Sequence, residues 1–316
     1  MRYVIVVDLG GTQIRVGLAD EAGVLHAEQR ALTEAHTGAD AIIERMVAMI
    51  EQARAQVPAG ADLLGVGIGA PGPLDPFHGL VMNPPNLPGW HNVPLRALIE
   101  QRANLPTELG NDANAAALGE WFFGGGRGTH NLVYVTISTG IGGGVIADGK
   151  LLLGRYGSAT EVGMQIIETS TRAFWEDLAS GPGLARAAAD AMIAEPRSLL
   201  HTLATPETVT GALVAQAAAM DDPLAQRLMD REGELIGIGL VNLLHLFSPE
   251  LVLLGGGVAA NNPLLIRRAA QVVQERAMDV YRDVPLRLAT LGERVGLLGA
   301  AALFLHMREG RTPATE

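Results

Sequence analysis

The sequence predicts an α/β fold in two lobes, and three observations carry that expectation. A strand, a glycine-rich turn at Gly10-Gly11-Thr12 and a second strand fill residues 3–20, and the pattern returns at 132–154 around Thr139-Gly140. Apolar runs short enough to be strands alternate with longer stretches of helical period. The chain has 316 residues, 48% hydrophobic and 18% charged, which is apolar material for two cores and too little charge for disorder. A duplicated lobe, with phosphate loops facing each other across a cleft, is the simplest arrangement consistent with these features.

Residues 3–8 (YVIVVD) form a continuous apolar run closed by Asp8, the pattern of a buried central strand. Strands at 14–20 and 24–32 follow, so the opening is a meander rather than a strand-to-helix turn. That excludes a Walker loop, which needs GKS or GKT and an immediate helix. Ile42, Ile43, Met46, Val47, Ile50 and Ala53 sit at helical spacing and predict an amphipathic helix over 39–57. Residues 63–71 predict the next strand, which runs into a Pro/Gly-rich loop through Trp90. Here Gly67-Ile68-Gly69-Ala70-Pro71-Gly72 matches the dinucleotide pattern letter by letter. Pro73 and Asp75-Pro76 follow, so no helix opens to meet a pyrophosphate, and the match is rejected.

A short helix at 94–104 precedes TELGNDANAAALGE (107–120), the stretch around which the rest is organised. Asn111 and Asp112 stand at the mouth of an alanine-rich helix, where either can accept an orphaned helix N–H as an N-cap. For an isolated motif a cap is the sufficient explanation. Flanked by two glycine-rich units, a carboxylate at a helix mouth is where a kinase would put its base. A strand at 132–138, a turn at 139–144 and a hairpin at 145–154 then repeat the opening. Beyond a loop-like 154–164, helices are predicted near 173–194, at 207–220 and at 222–247, the last stopped by Ser248-Pro249. A strand at 251–257 ends in a triple-glycine turn. A helix at 263–281, a short strand at 285–291, a final helix at 296–308 and a disordered tail to Glu316 complete the chain.

A net charge of −11 argues against nucleic acid or an anionic membrane as partner. The absence of cysteine removes disulfides and thiolate zinc sites together. Met1-Arg2 runs directly into a strand pattern, without a signal peptide. The longest apolar stretch, 235–247, carries Asn242 and His245 and is too short to span a bilayer. A soluble, cytoplasmic protein is expected. The eight histidines show no metal-binding spacing.

Three glycine clusters, at 10–11, 140–144 and 255–257, each follow an apolar strand. Glycine permits positive φ and lets backbone N–H groups approach an anion unobstructed. A single cluster is explained by a tight turn; three at strand ends within one chain favour nucleotide phosphates. The expected nucleotide contacts are Gly10, Gly11, Thr12, Thr139, Gly140, Gly142, Gly255, Gly256 and Gly257. Asp8, beside the first loop, would hold Mg²⁺ directly or through water, since magnesium binds through one or two carboxylates plus phosphates.

DLGGT (8–12), GAPGPLD (69–75) with NLPGW (86–90), LGNDANAAALGE (109–120), STGIGGG (138–144) and LLGGGV (253–258) resemble, in that order, the ROK family of sugar kinases and repressors. The resemblance runs from residue 8 to the GLLGAAAL helix at 296–303. It implies a two-lobed actin-like ATPase (ribonuclease H-like) fold with an interlobe active-site cleft. The small lobe would be 1–118 plus a C-terminal helix at 297–316, and the large lobe 119–296. By the same resemblance Asp112 is the general base that takes the proton of a sugar hydroxyl, and Asn111 binds a neighbouring hydroxyl. Glu161 and Glu176 accept hydrogen bonds from the sugar, and Gly72 and Asn86 line its pocket. For both glutamates a solvated charge is the plainer explanation without the motif. ATP and Mg²⁺ are the implied cofactors, and a homodimer the implied assembly.

The sequence departs from the family in one region. Typical members read E-x-G-H followed by a CxCGxxGCxE loop that binds zinc. Here the histidine position is Met164, the cysteines are absent and the segment to Glu176 is shortened. Loss of all four ligands together implies no zinc, with packing by Ile166, Ile167, Phe174 and Trp175 in its place. Gln13 stands where lysine is common, and Arg15 would offset that charge. The leading expectation is ATP-dependent phosphorylation of glucose at the 6-hydroxyl. The alternatives are a kinase for another hexose or an N-acetylhexosamine, and a non-catalytic sugar-binding protein. A repressor would carry a helix-turn-helix ahead of the first strand, which here begins at residue 3.

Overall fold

The structure, a computed structural model, describes residues 1–313. It divides into two compact units, Met1–His130 with Gly144–Thr160 and Thr290–Glu316, and Asn131–Gly143 with Glu161–Ala289.

In the first unit, β1 (Arg2–Leu9), β2 (Gln13–Asp20) and β3 (Leu25–Leu32) form the expected meander. Val4 to Val7 are fully buried, as a central strand requires, whereas β3 alternates half-buried and exposed side chains as an edge strand does. The turn closes with Gly10 N–H donating to the Gln13 carbonyl at 2.9 Å. Helix α1 (Ala39–Arg54) buries Ile42, Ile43, Met46, Met49, Ile50 and Ala53, the stripe its period requires. It stops short of residue 57, ahead of Pro58, because the residue before proline disfavours helix. Strand β4 (Asp62–Ala70) pairs parallel to β1, and no helix follows it. The Pro/Gly-rich segment carries a minimal hairpin, β5 (Leu74–Asp75) and β6 (Leu80–Val81). Helix α2 (Leu95–Ala103) leads to β7 (Thr107–Asn111), parallel to β4, and then to α3 (Asp112–Phe123). The sheet order is β3-β2-β1-β4-β7.

The second sheet repeats this plan. Strands β8 (Leu132–Ile137), β9 (Ile141–Ala147) and β10 (Lys150–Leu151) open it; β13 (Leu251–Gly255) and β14 (Leu286–Leu288) extend it. Its order, β10-β9-β8-β13-β14, is the same meander-then-parallel pattern, so the duplication inferred from the two glycine-rich units is present in the topology. β9 starts in the second unit, and its later half belongs with β10 to the first.

Several expected elements differ. Residues 139–144 are not all turn, because Ile141 to Gly144 lie in β9. Glycine suits that strand because a side chain at Gly144 would strike Ala117 and the Ala113 carbonyl of α3. The helix expected over 173–194 is three pieces: β12 (Ala173–Phe174), α4 (Trp175–Ala179) and α5 (Gly181–Ala194). Ser180 makes the break by capping α5, its Oγ accepting from Gly183 N–H at 3.2 Å with Pro182 in the first turn. β12 pairs with β11 (Ile166–Glu168). A short α6 (Leu200–Leu203) was not anticipated. Helix α7 (Gly211–Ala219) starts later than expected, behind the Thr210 cap, and α8 (Pro223–Phe247) ends at Ser248 as expected. After β13, Gly256 opens a short helix, α9 (Gly256–Ala260), so 255–257 is a strand-to-helix junction. Helix α10 (Pro263–Arg276) gives way to a 3₁₀ turn at Asp279–Tyr281.

Helix α11 (Val295–Glu309) returns to the first unit and lies along α3. The approach is close because Gly119 and Gly299 meet at the crossing; a Cβ on Gly299 would press on the Ala115 carbonyl oxygen. Buried Glu120 fastens the same region. Its carboxylate accepts from Gly125 N–H at 2.9 Å, from Thr290 and Leu291 N–H at 2.8 Å each, and from the Thr290 hydroxyl at 3.1 Å. The tail is ordered further than expected: Arg311 reaches Glu21 at 3.2 Å, and residues 314–316 lie outside the described ones. Among the described residues no helix is long and apolar enough to cross a membrane.

Candidate functional site

The candidate residues of the first unit gather at the carboxyl ends of its parallel strands, where open α/β sheets bind ligands. Asp8 pairs with Gly69, Gly69 with Gly110, and Ala70 with Asn111, so Asp8 and Asn111 stand on one edge. Asn111 is the N-cap of α3. Its Oδ1 accepts from Ala113 N–H at 2.9 Å and Asn114 N–H at 3.2 Å. Capping and ligand binding are therefore compatible, because the cap uses the oxygen and leaves the amide NH₂ as donor. Asp112, in the first turn of α3, is exposed, with Oδ1 accepting from Ala113 N–H at 2.8 Å. The helix dipole favours a carboxylate there.

In the Gly10–Thr12 turn, Gly11 lies against the Cβ and carbonyl of Asn86, so the first loop and Asn86 are neighbours. Thr12 and Asn86 are exposed, and Gly72 is half-buried beside the Gly72–Pro73 bond. Asp8 is half-buried and paired with Arg15, which stands directly opposite it across the hairpin. Both Nε, at 3.0 Å, and Nη2 of Arg15 donate to Oδ2, and Nη1 donates to the Glu293 carbonyl. Arg15, expected only to offset the charge at Gln13, is bonded directly to Asp8, the carboxylate expected to hold Mg²⁺. Mg²⁺ fits the donor set in part. Oδ2 is committed to Arg15, while Oδ1 takes no hydrogen bond among the described residues and remains a hard oxygen donor, directly or through water.

In the second unit, Ser138-Thr139-Gly140 turns at the end of β8, closed by Ser138 N–H on the Gly140 carbonyl at 2.9 Å. The N-terminus of α5 abuts this turn, Gly181 N–H donating to the Ser138 carbonyl at 2.8 Å. Glu176 is half-buried against Gly140, its Oε2 accepting from Ile141 N–H at 2.8 Å. One N–H of that loop is thereby already committed to a carboxylate. Gly142 lies within β9, and Gly255 ends β13 in register with Thr136. Of the three clusters only Gly256 has positive φ, +82°, and a side chain there would strike the Ile137 carbonyl. At Gly143 and Gly144 it is instead the close approach of Val162 and of α3 that leaves no room for a side chain.

Glu161 is exposed as a residue, but its carboxyl is partly withdrawn from water. That desolvation, and then the like charge of Glu176, raise its pKa above the ordinary glutamate value. The two carboxyls that the resemblance assigns to one sugar therefore sense each other. Met164 is exposed, at the end of the 3₁₀ turn Val162–Met164. The packing expected in place of zinc is corrected in part. Trp175 is fully buried against Gly239 of α8, but Ile166 and Phe174 are exposed and instead pair through their backbones in the β11–β12 hairpin. Among the described residues no three His, Cys, Asp or Glu groups cluster to hold a metal.

Comparison with known proteins follows the same lines. The ROK family profile matches residues 4–307. The chain is 35% identical to the glucokinase of Thermotoga maritima over 94% of this chain and 95% of that protein. Among solved structures it is similar to a ROK family glucokinase from Streptomyces griseus in complex with glucose and AMPPNP, with TM-score 0.79 and 33% identity over 95% of this chain and 98% of that one. It is also similar to a ROK hexokinase from Thermus thermophilus, with TM-score 0.81 and 34% identity over 98% and 100% of the two chains.

Proposed function

The chain belongs to the ROK family, and from that premise we propose that it is an ATP-dependent hexose kinase acting on the 6-hydroxyl of glucose, with Asp112 as general base. One observation carries the reading. Asp8 and the Asn111–Asp112 pair occupy one edge of one sheet, two strand spacings apart, which is about 10 Å. That span accommodates a terminal phosphoryl group and the hydroxyl that attacks it. Phosphoryl transfer needs an in-line nucleophile held in place more than it needs a strong base. A carboxylate at a capped helix start orients the hydroxyl and accepts its proton late. The Asn111 amide donates to a neighbouring hydroxyl; Gly72 and Asn86 line the sugar, and Glu161 and Glu176 accept from its other hydroxyls. Gly10, Gly11, Thr12, Thr139, Gly140, Gly142 and Gly255 to Gly257 serve the nucleotide. Mg²⁺ held through Asp8 would neutralise charge on the phosphate oxygens.

The exposed Met164 favours a second reading, a different hexose or an N-acetylhexosamine as acceptor, because a thioether is at best a weak acceptor for a sugar hydroxyl. A cytoplasmic homodimer belongs to the same proposal. The test is coupled ADP release over a panel of hexoses and N-acetylhexosamines, with the wild type and Asp112→Asn. Loss of Asp112 should lower kcat about 10²- to 10⁴-fold while sugar KM stays within a few-fold. Full turnover by the Asn variant, or no turnover by the wild type with any sugar, overturns the reading.

A further inference from the structure

We propose that Arg15 competes with the divalent cation for Asp8, so that the protein prefers metal-bound over metal-free nucleotide only weakly. The inference rests on the kinase reading for what Asp8 faces; the competition itself rests on local geometry. Asp8 and Arg15 are direct partners in the antiparallel register of β1 and β2. Two guanidinium N–H groups converge on one carboxylate oxygen, and a third donates to the Glu293 carbonyl in the turn before α11. Held from two separate parts of the chain, the guanidinium is fixed in place rather than swinging in solvent. The two side chains are only 17% and 20% exposed, so water screens the pair less than a surface ion pair.

The first turn of α11 closes over this pair. Gly296 sits so near that a Cβ there would collide with both Asp8 Oδ2 and Arg15 Nη2. The carboxylate therefore faces a guanidinium and the positive end of a fifteen-residue helix together. A divalent cation approaching Oδ1 meets a pair whose formal charges already cancel, so it is attracted less than it would be by an unpaired carboxylate. The protein's share of metal recognition is correspondingly small, and removing Arg15 restores it.

The experiment measures equilibrium binding, not turnover. Titration calorimetry with β,γ-imido-ATP, in excess EDTA and in saturating Mg²⁺, gives the ratio of the two dissociation constants for each protein. Arg15→Gln should raise the preference for the metal-bound form at least tenfold, by tighter metal-bound binding. Adding Asp8→Asn to Arg15→Gln should abolish that gain. An unchanged or smaller ratio in Arg15→Gln overturns the proposal, as does a gain that survives loss of Asp8. If Arg15→Gln fails to fold in a thermal melt, Arg15→Lys keeps the charge without the fork and should still raise the ratio at least threefold; no change there overturns the proposal. Hexose turnover with an unchanged ratio refutes this inference alone. Absence of turnover with a shifted ratio refutes only the kinase reading, and a wild type that binds the nucleotide under neither condition refutes both.

Discussion

Glu232 offers the sharpest test of the physics of the second unit. It lies in α8 with no exposed surface, and neither carboxyl oxygen has a hydrogen-bond partner among the described residues. Burial raises its pKa from 4.5 to about 8, against a smaller opposing pull from the Arg231 guanidinium. Because the folded value lies above the unfolded one, its contribution to stability is fully present below pH 4.5 and is lost as pH rises through 8. At about 1.4 kcal/mol per unit, the gap from 4.5 to about 8 corresponds to about 5 kcal/mol, of which about 3 is already lost at pH 7. Glu232→Met removes the charge at similar volume. Urea unfolding should therefore show the Met variant close to wild type at pH 5, about 3 kcal/mol more stable at pH 7 and about 5 kcal/mol more stable at pH 9. Tryptophan fluorescence of a Trp90→Phe/Trp121→Phe background, which leaves Trp175 buried in the same unit as Glu232, reports the transition. Subtracting the two proteins at each pH cancels every other titrating group. If the two pH dependences run parallel, Glu232 ionises in the fold like an ordinary glutamate and the reasoning is wrong.

Two further substitutions probe the support of α3. Glu120→Gln leaves one of the bonded acceptor sites as an amide donor facing backbone N–H groups, and should cost about 2–3 kcal/mol. A melting temperature lowered by several degrees checks it; an unchanged melt would mean that the four hydrogen bonds contribute nothing net. Gly299→Ala forces a Cβ onto the Ala115 carbonyl and should cost about 3 kcal/mol by pushing α11 off α3. Urea denaturation of Gly299→Ala beside the conservative Ala301→Gly separates this collision from ordinary helix effects, and equal losses in the two would refute it.

The regular parts of the fold were legible because period and punctuation agree there. The α1 stripe, the Asn111 cap, the Ser248-Pro249 stop and the meander all follow from spacing. What stayed hidden depends on partners distant in sequence. Gly142 to Gly144 look like a turn, and the press of Val162 on Gly143 and of α3 on Gly144 explains why glycine continues a strand. Glu120 reads as an ordinary glutamate in an alanine helix, and its partners at 290 and 291 lie 170 and 171 residues away. The break at Ser180 is a different kind of miss, since Ser-Gly-Pro-Gly carries its cap and early proline in plain view. So is the Asp8–Arg15 pair: with a turn at Gly10–Thr12 and Leu9 opposite Ile14, Asp8 must face Arg15. The segment 166–174 looks in sequence like side-chain packing, but Ile166 and Phe174 are exposed and meet through a backbone ladder.

The first unit also shows why its candidate groups are placed by the scaffold rather than by their own loops. Asp8 stands one residue from the end of buried β1 and is held by Arg15; Arg15 is held by the Glu293 carbonyl. Residue 293 follows Thr290 and Leu291, whose amides are fixed by Glu120, and Glu120 rides on α3, the helix that Asp112 begins. The proposed base and the proposed metal ligand are thus two ends of one chain of hydrogen bonds, closed by the α3–α11 crossing at Gly119 and Gly299. Phosphoryl transfer rewards that arrangement, because misplacing reacting groups by about 1 Å costs about 10²-fold in rate. Substitutions at Glu120 and Arg15 act on the same chain and should therefore be non-additive in any quantity that depends on Asp8, although neither residue lies next to the other.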